Sequence, residues 1–175
     1  MIRFLFFLII PFVLCNCSSI NENELEEVST LQKKINALEF SFNNIDTLAI
    51  EEALRRYREN LTMIKKYYND TVDKEFVQLI NKYKGIKKAG KSLSKKDRMD
   101  IASNIKITKQ QLHTLSIDLE ADVLPLDSIP YFIKVEGEKI NKLSKDISNY
   151  ILICDEVILL DTTLSSKVKN LLTDN

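Results

Sequence analysis

The chain has 175 residues, 45% of them hydrophobic, which favours one domain with apolar material enough for a core. Its 25 basic and 25 acidic residues cancel to a net charge of zero, which disfavours a strongly basic nucleic-acid binder or an acidic tail. Three Gly, three Pro and no Trp leave few breakers, so long helices are expected rather than a strand-and-turn architecture.

Met1-Ile2-Arg3 is a short, positively charged start, and Phe4 to Leu14 is uninterrupted apolar sequence. That run is shorter than the roughly 20 residues a bilayer crossing needs, and it suits the hydrophobic region of a signal peptide. Leu14-Cys15-Asn16-Cys17-Ser18-Ser19 follows. It resembles a bacterial lipobox, with Leu14 three residues ahead of Cys17 and small polar residues behind it. Relaxed boxes of this kind, with Cys15 and Asn16 where small residues are usual, look like those of Bacteroidetes-type or spirochaete lipoproteins. The resemblance concerns residues 1–19 and the address alone.

It implies that signal peptidase II removes residues 1–16 and that Cys17 carries diacylglycerol and an N-acyl chain such as palmitate. Two or three acyl chains anchor stably, whereas one is marginal. The expected home is a bacterial cell envelope, on the outer membrane in a Gram-negative cell. A cleaved signal peptide without lipid and an uncleaved anchor are the alternatives. On the lipidated reading Cys15 leaves and Cys17 is consumed, so Cys154 has no partner for an intramolecular disulfide. It lies in the apolar run Tyr150-Ile151-Leu152-Ile153-Cys154 and is expected to be a buried small hydrophobe rather than a reactive thiol.

Residues 17–22 read as a short tether and 23–175 as an all-α domain. Apolar residues there recur at spacings of three and four, the signature of a helix burying one stripe. The first helix is expected over Asn23 to Asn43, with Leu25, Val28, Leu31, Ile35, Leu38 and Phe42 on one face. Asp46 is placed to cap the second, whose stripe is Ile50, Leu54, Tyr57, Leu61, Ile64 and Tyr68. Past Asn69-Asp70-Thr71 the stripe resumes at Val72, Phe76, Leu79, Tyr83 and Ile86, so the segment 69–72 is either a break or a kink.

Gly85 to Ser94 reads as the clearest interior loop, with Ser92 or Ser94 capping the next helix. That helix is expected to reach Asp122, with Ile101, Ile105, Thr108, Leu112, Leu115 and Leu119 as its stripe. Pro125 and Pro130 bracket a corner, and the last helix runs to about Leu172. It carries two heptad tracks. Ile133, Ile140, Ile147, Cys154 and Val168 form one, interrupted by Asp161. Leu143, Tyr150, Val157, Leu164 and Leu171 form the other, interrupted by Glu136. A helix of such length demands an elongated antiparallel bundle of four to five helices with coiled-coil-like packing.

No catalytic residue, metal ligand or cofactor site is expected. His113 is the single histidine, and a zinc site usually needs several His or Cys ligands. Asp118, Glu120 and Asp122 read as a solvated helix end rather than a cation site, since calcium wants six or more oxygens. The Asp-Ser/Thr pairs at 46–47, 70–71, 127–128 and 161–162 look like the O-glycosylation motif of Bacteroidetes exported proteins, yet most also stand where a helix cap is expected. One charge feature rises above background: Lys82, Lys84, Lys87, Lys88, Lys91, Lys95, Lys96 and Arg98. It is either a solvated surface or a contact for an anionic surface, polymer or acidic partner. Aromatic interleaving for nucleic acid is represented by Tyr83 alone, so nucleic acid is not an expected partner. The apolar stretch Tyr150 to Leu160 is either the best-buried part of the bundle or a site of self-association. The function these features imply is a lipid-anchored, non-catalytic scaffold, spacer or binding module; a self-associating assembly factor and an enzyme with an unrecognised carboxylate or tyrosine site are the rivals.

Overall fold

The computed structural model describes residues 22–67 and 74–173. They form five helices and no strand: α1 Glu22–Asn43, α2 Thr47–Tyr67, α3 Lys74–Lys91, α4 Lys95–Glu120 and α5 Ile129–Thr173. The stripes are buried as the spacing requires. Val28, Ile35 and Phe42 of α1 are in the core, as is every member of the α4 stripe from Ile101 to Leu119. On α5 both heptad tracks are buried from Ile133 to Val168. Tyr68 and the segment 69–72 lie outside the described residues, as do the side chains of Phe76 and Leu171.

The topology is three rods. Leu31 approaches Gly137 and the Phe42 ring meets Tyr150 at 5.8 Å, so α1 runs parallel to α5. Arg56 binds Asp161 and Asn60 binds Ser165, so α2 continues in the same direction and register. Thus α1 and α2 stack end to end as one rod beside α5. The second rod, α3 followed by α4, runs the other way. Gly85 lies against Leu160, Lys109 pairs with Glu39, and Lys139 reaches Gln111. Within the described residues α1, α4 and the first half of α5 pack together, and α2, α3 and the second half of α5 do likewise. At 1.5 Å per residue the 45 residues of α5 span about 68 Å.

Both outer rods are interrupted at one level, at residues 44–46 and 92–94, where Phe42 lies beneath the Arg98 guanidinium and against Tyr150. At this waist α5 alone is continuous. Local chemistry explains the interruptions. The Ala49 amide donates to Asp46 Oδ1 at 2.9 Å, and the Asp97 amide donates to Ser94 Oγ at 3.1 Å, so each new helix starts on a side-chain cap.

The loop expected over Gly85 to Ser94 is corrected: α3 runs through to Lys91 and only three residues connect it to α4. The glycines that suggested a loop serve close packing instead. A Cβ on Gly90 would stand 2.6 Å from the Leu54 side chain, and one on Gly85 would stand 3.2 Å from Leu160. Glycine lets α3 approach its neighbours at both points. The α4 terminus closes in a Schellman motif. Val123 N–H donates to Asp118 C=O, Asp122 N–H donates to Leu119 C=O, and Asp122 takes a left-handed φ of 50°.

Candidate functional site

Four surfaces bear chemistry. The first is the lysine run. Lys82, Lys84, Lys87, Lys88 and Lys91 are exposed on α3, and Lys95 and Lys96 are exposed at the start of α4. Arg98 departs from the set: it is half-buried, with its guanidinium 5.9 Å from the Phe42 ring centre. These cations follow one another along α3 and the start of α4, from the block beyond the waist to the waist itself. Counting helical rise along α5 from Ile129, they sit roughly 35–50 Å from the end that holds Glu22.

The second surface is a groove of about 370 Å³ between α4 and the start of α5. Ile107, Leu115, Leu124 and Phe132 supply its apolar walls, and Gln110, Gln111, Thr114, Asp118 and Glu136 its polar ones. Glu136 Oε1 accepts from Lys139 Nζ at 2.7 Å, and the same ammonium donates to Gln111 Oε1 at 3.3 Å across the groove. Glu136 Oε2 is buried with no hydrogen-bond partner among the described residues.

The third is a polar layer inside the far block. Asp161 Oδ2 accepts from Arg56 Nε at 2.9 Å and Nη2 at 2.5 Å, and Arg56 Nη1 also donates to Glu52 at 3.0 Å. One turn on, Asn60 Nδ2 donates to Tyr83 Oη at 2.8 Å and to Ser165 Oγ at 2.9 Å. The Tyr57 and Tyr83 rings meet at 5.0 Å, and burial pushes both phenols above their ordinary range. Both track interruptions, Glu136 and Asp161, are therefore buried carboxylates held by a cation from the surface. Such layers favour one register over its neighbours.

The fourth comprises the apolar residues left outside the core. In the Tyr150 to Leu160 stretch Tyr150, Cys154 and Val157 are buried, whereas Leu152 and Leu159 are 65% and 62% exposed at a seven-residue spacing. At the end of the bundle, the corner between α4 and α5 exposes Val123 and Leu126, and the first turn of α5 exposes Tyr131. The periodicity of the flanking helices carries no sign of these exposed residues; only the composition of the corner does.

Cys154 is a buried residue, as expected, and its thiol is pushed up to about 11 by burial, so it is protonated at neutral pH. His113 is exposed. Asp118 is half-buried while Glu120 and Asp122 are exposed. Among the described residues no group of three or more His, Cys, Asp or Glu is placed to hold a metal ion. No described helix is long and apolar enough to cross a membrane, and Cys17 lies outside the described residues. The chain matches no protein-family model, no curated protein and no solved structure.

Proposed function

We propose that the chain is a lipid-anchored cell-envelope protein of non-catalytic type, acting as a scaffold, spacer or binding module. The observation that carries this reading is reach. A single helix of about 68 Å has its start beside Glu22, five residues after the lipobox-like Cys17. A lipid on Cys17 would hold one end of the rod near a bilayer and leave the other end far from it. The lysine run, well along the rod, is then offered to an anionic polymer, a facing surface or an acidic partner rather than to the anchoring headgroups. Cys17→Ala is expected to abolish acyl labelling and to move the protein from the membrane fraction to the soluble one. Unchanged labelling and retention would sink the reading.

A second reading is favoured by Leu152 and Leu159, whose spacing forms a short exposed stripe on α5 suited to pairing with a second copy. It expects the unlipidated chain, residues 18–175, to sediment as a dimer, with Leu152→Asp restoring the monomer. A monomer at high concentration would dismiss it.

A further inference from the structure

We propose that the corner joining α4 to α5 is a second membrane contact, seated in the bilayer interface beside the lipid. The inference rests on the lipid-anchor reading and deepens it. Its first support is topological. Because α1 is parallel to α5, the first turns of both helices lie at the same end of the bundle: Asn23 and Ile133 line one surface notch. The corner, residues 121–128, closes that same end.

Reach is the second support. From Cys17 to Glu22 is five residues, at most roughly 17 Å of extended chain. A lipidated Cys17 thus confines this end of the rod to the neighbourhood of the headgroups. Chemistry is the third. Val123, Leu126 and Tyr131 are 64%, 61% and 65% exposed, two aliphatic side chains and one tyrosine within nine residues of the corner and the start of α5. Tyrosine suits the headgroup level, with an apolar ring below and a polar hydroxyl above. The corner is also braced rather than slack: the Ser128 amide and hydroxyl both donate to Pro125 C=O, at 2.9 and 2.7 Å. It thus presents these side chains without an ordering cost at the moment of contact. The acidic residues around it, Glu22, Glu24, Asp122 and Asp127, match a zwitterionic surface better than an anionic one. Two contacts, the acyl chains and the corner, fix a rod's orientation where a lipid on a short tether alone lets it swivel.

The chain has no Trp, so one indole reports unambiguously. Full-length lipidated protein carrying Tyr131→Trp is reconstituted into phosphatidylcholine vesicles with brominated acyl chains. Phe40→Trp, exposed about halfway along the rod, is the reference. The expected result is loss of emission from Tyr131→Trp, none from Phe40→Trp, and recovery of the lost emission when Leu126→Asp is added. Co-flotation with vesicles but an unquenched Tyr131→Trp indole overturns the contact and leaves the anchor standing. A blue-shifted yet unquenched indole overturns it too, in favour of cover by residues 18–21 or by a second copy. Failure to co-float with Cys17 intact overturns anchor and contact together.

Discussion

Arg56→Ala is expected to destabilise the protein by about 3 kcal/mol, read as a fall in the urea midpoint at unchanged slope. The cost comes from what is left behind. Asp161 is 1% exposed, and Arg56 supplies two charge-assisted hydrogen bonds to its carboxylate. Its other oxygen has no partner among the described residues, so without the guanidinium the charge stands uncompensated in the buried layer near Tyr83. Arg56 is itself 40% exposed, and water entering its place holds the loss near the lower end of what breaking a buried pair costs. Removing both partners should behave differently. With Arg56→Leu and Asp161→Leu together, neither desolvation penalty is incurred, and stability is expected within about 1 kcal/mol of the parent or above it. The four-cornered cycle measures the coupling directly. A loss below about 1 kcal/mol in Arg56→Ala would show that the pair is not an energetic feature of the fold.

Alkaline pH should destabilise the protein. The Cys154 thiol is pushed from its ordinary value of 9 up to about 11 by burial. Tyr57, Tyr83 and Tyr150 are raised above 10 by the same cause, with Asn60 and Ser165 pulling Tyr83 partly back. In the unfolded chain these groups release their protons near their ordinary values while the native state still holds them. The unfolded state then binds fewer protons, and stability falls as pH rises. The Cys154 contribution is complete below pH 9 and is lost from there through about 11, and the tyrosine contributions begin to fall only from about pH 10. Cys154 alone accounts for about 2–3 kcal/mol. Urea midpoints at pH 7, 9, 10 and 11 should therefore descend, and Cys154→Ala should flatten the part between 9 and 11. A midpoint constant from pH 7 to 11 would refute the burial argument.

The stripes were legible because a helix in a bundle repeats its burial every three or four residues. The α4 stripe shows this residue for residue, from Ile101 to Leu119. Which helix each stripe meets was not legible, since periodicity marks a buried face and is silent about its partner. That α1 and α2 share one rod depends on contacts such as Phe42 with Tyr150 and Arg56 with Asp161. Gly85 and Gly90 misled for a related reason. Glycine signals a turn or a close approach with the same letter, and only the positions of Leu160 and Leu54 decide between them. Glu136 and Asp161 stood out as interruptions of apolar tracks, but their cations come from a surface position and from a distant helix. The lysine run was visible as charge, while its height along the rod follows from the α3–α5 packing alone.

The pairing of α1 and α2 with α5 also orders events in time. Arg56 and Asn60 find their partners 105 residues later in the chain, and Phe42 meets Tyr150 108 residues later. Each three-rod core layer therefore stays incomplete until the last helix is available. Loops of this span must close before their contacts repay them, which places folding at the slow end for a helical protein. A chain emerging from its N-terminus cannot lock into its native form before the whole length is present. Under the export reading proposed above, such late closure would leave the first rod open during passage across a membrane and let the bundle assemble on the far side.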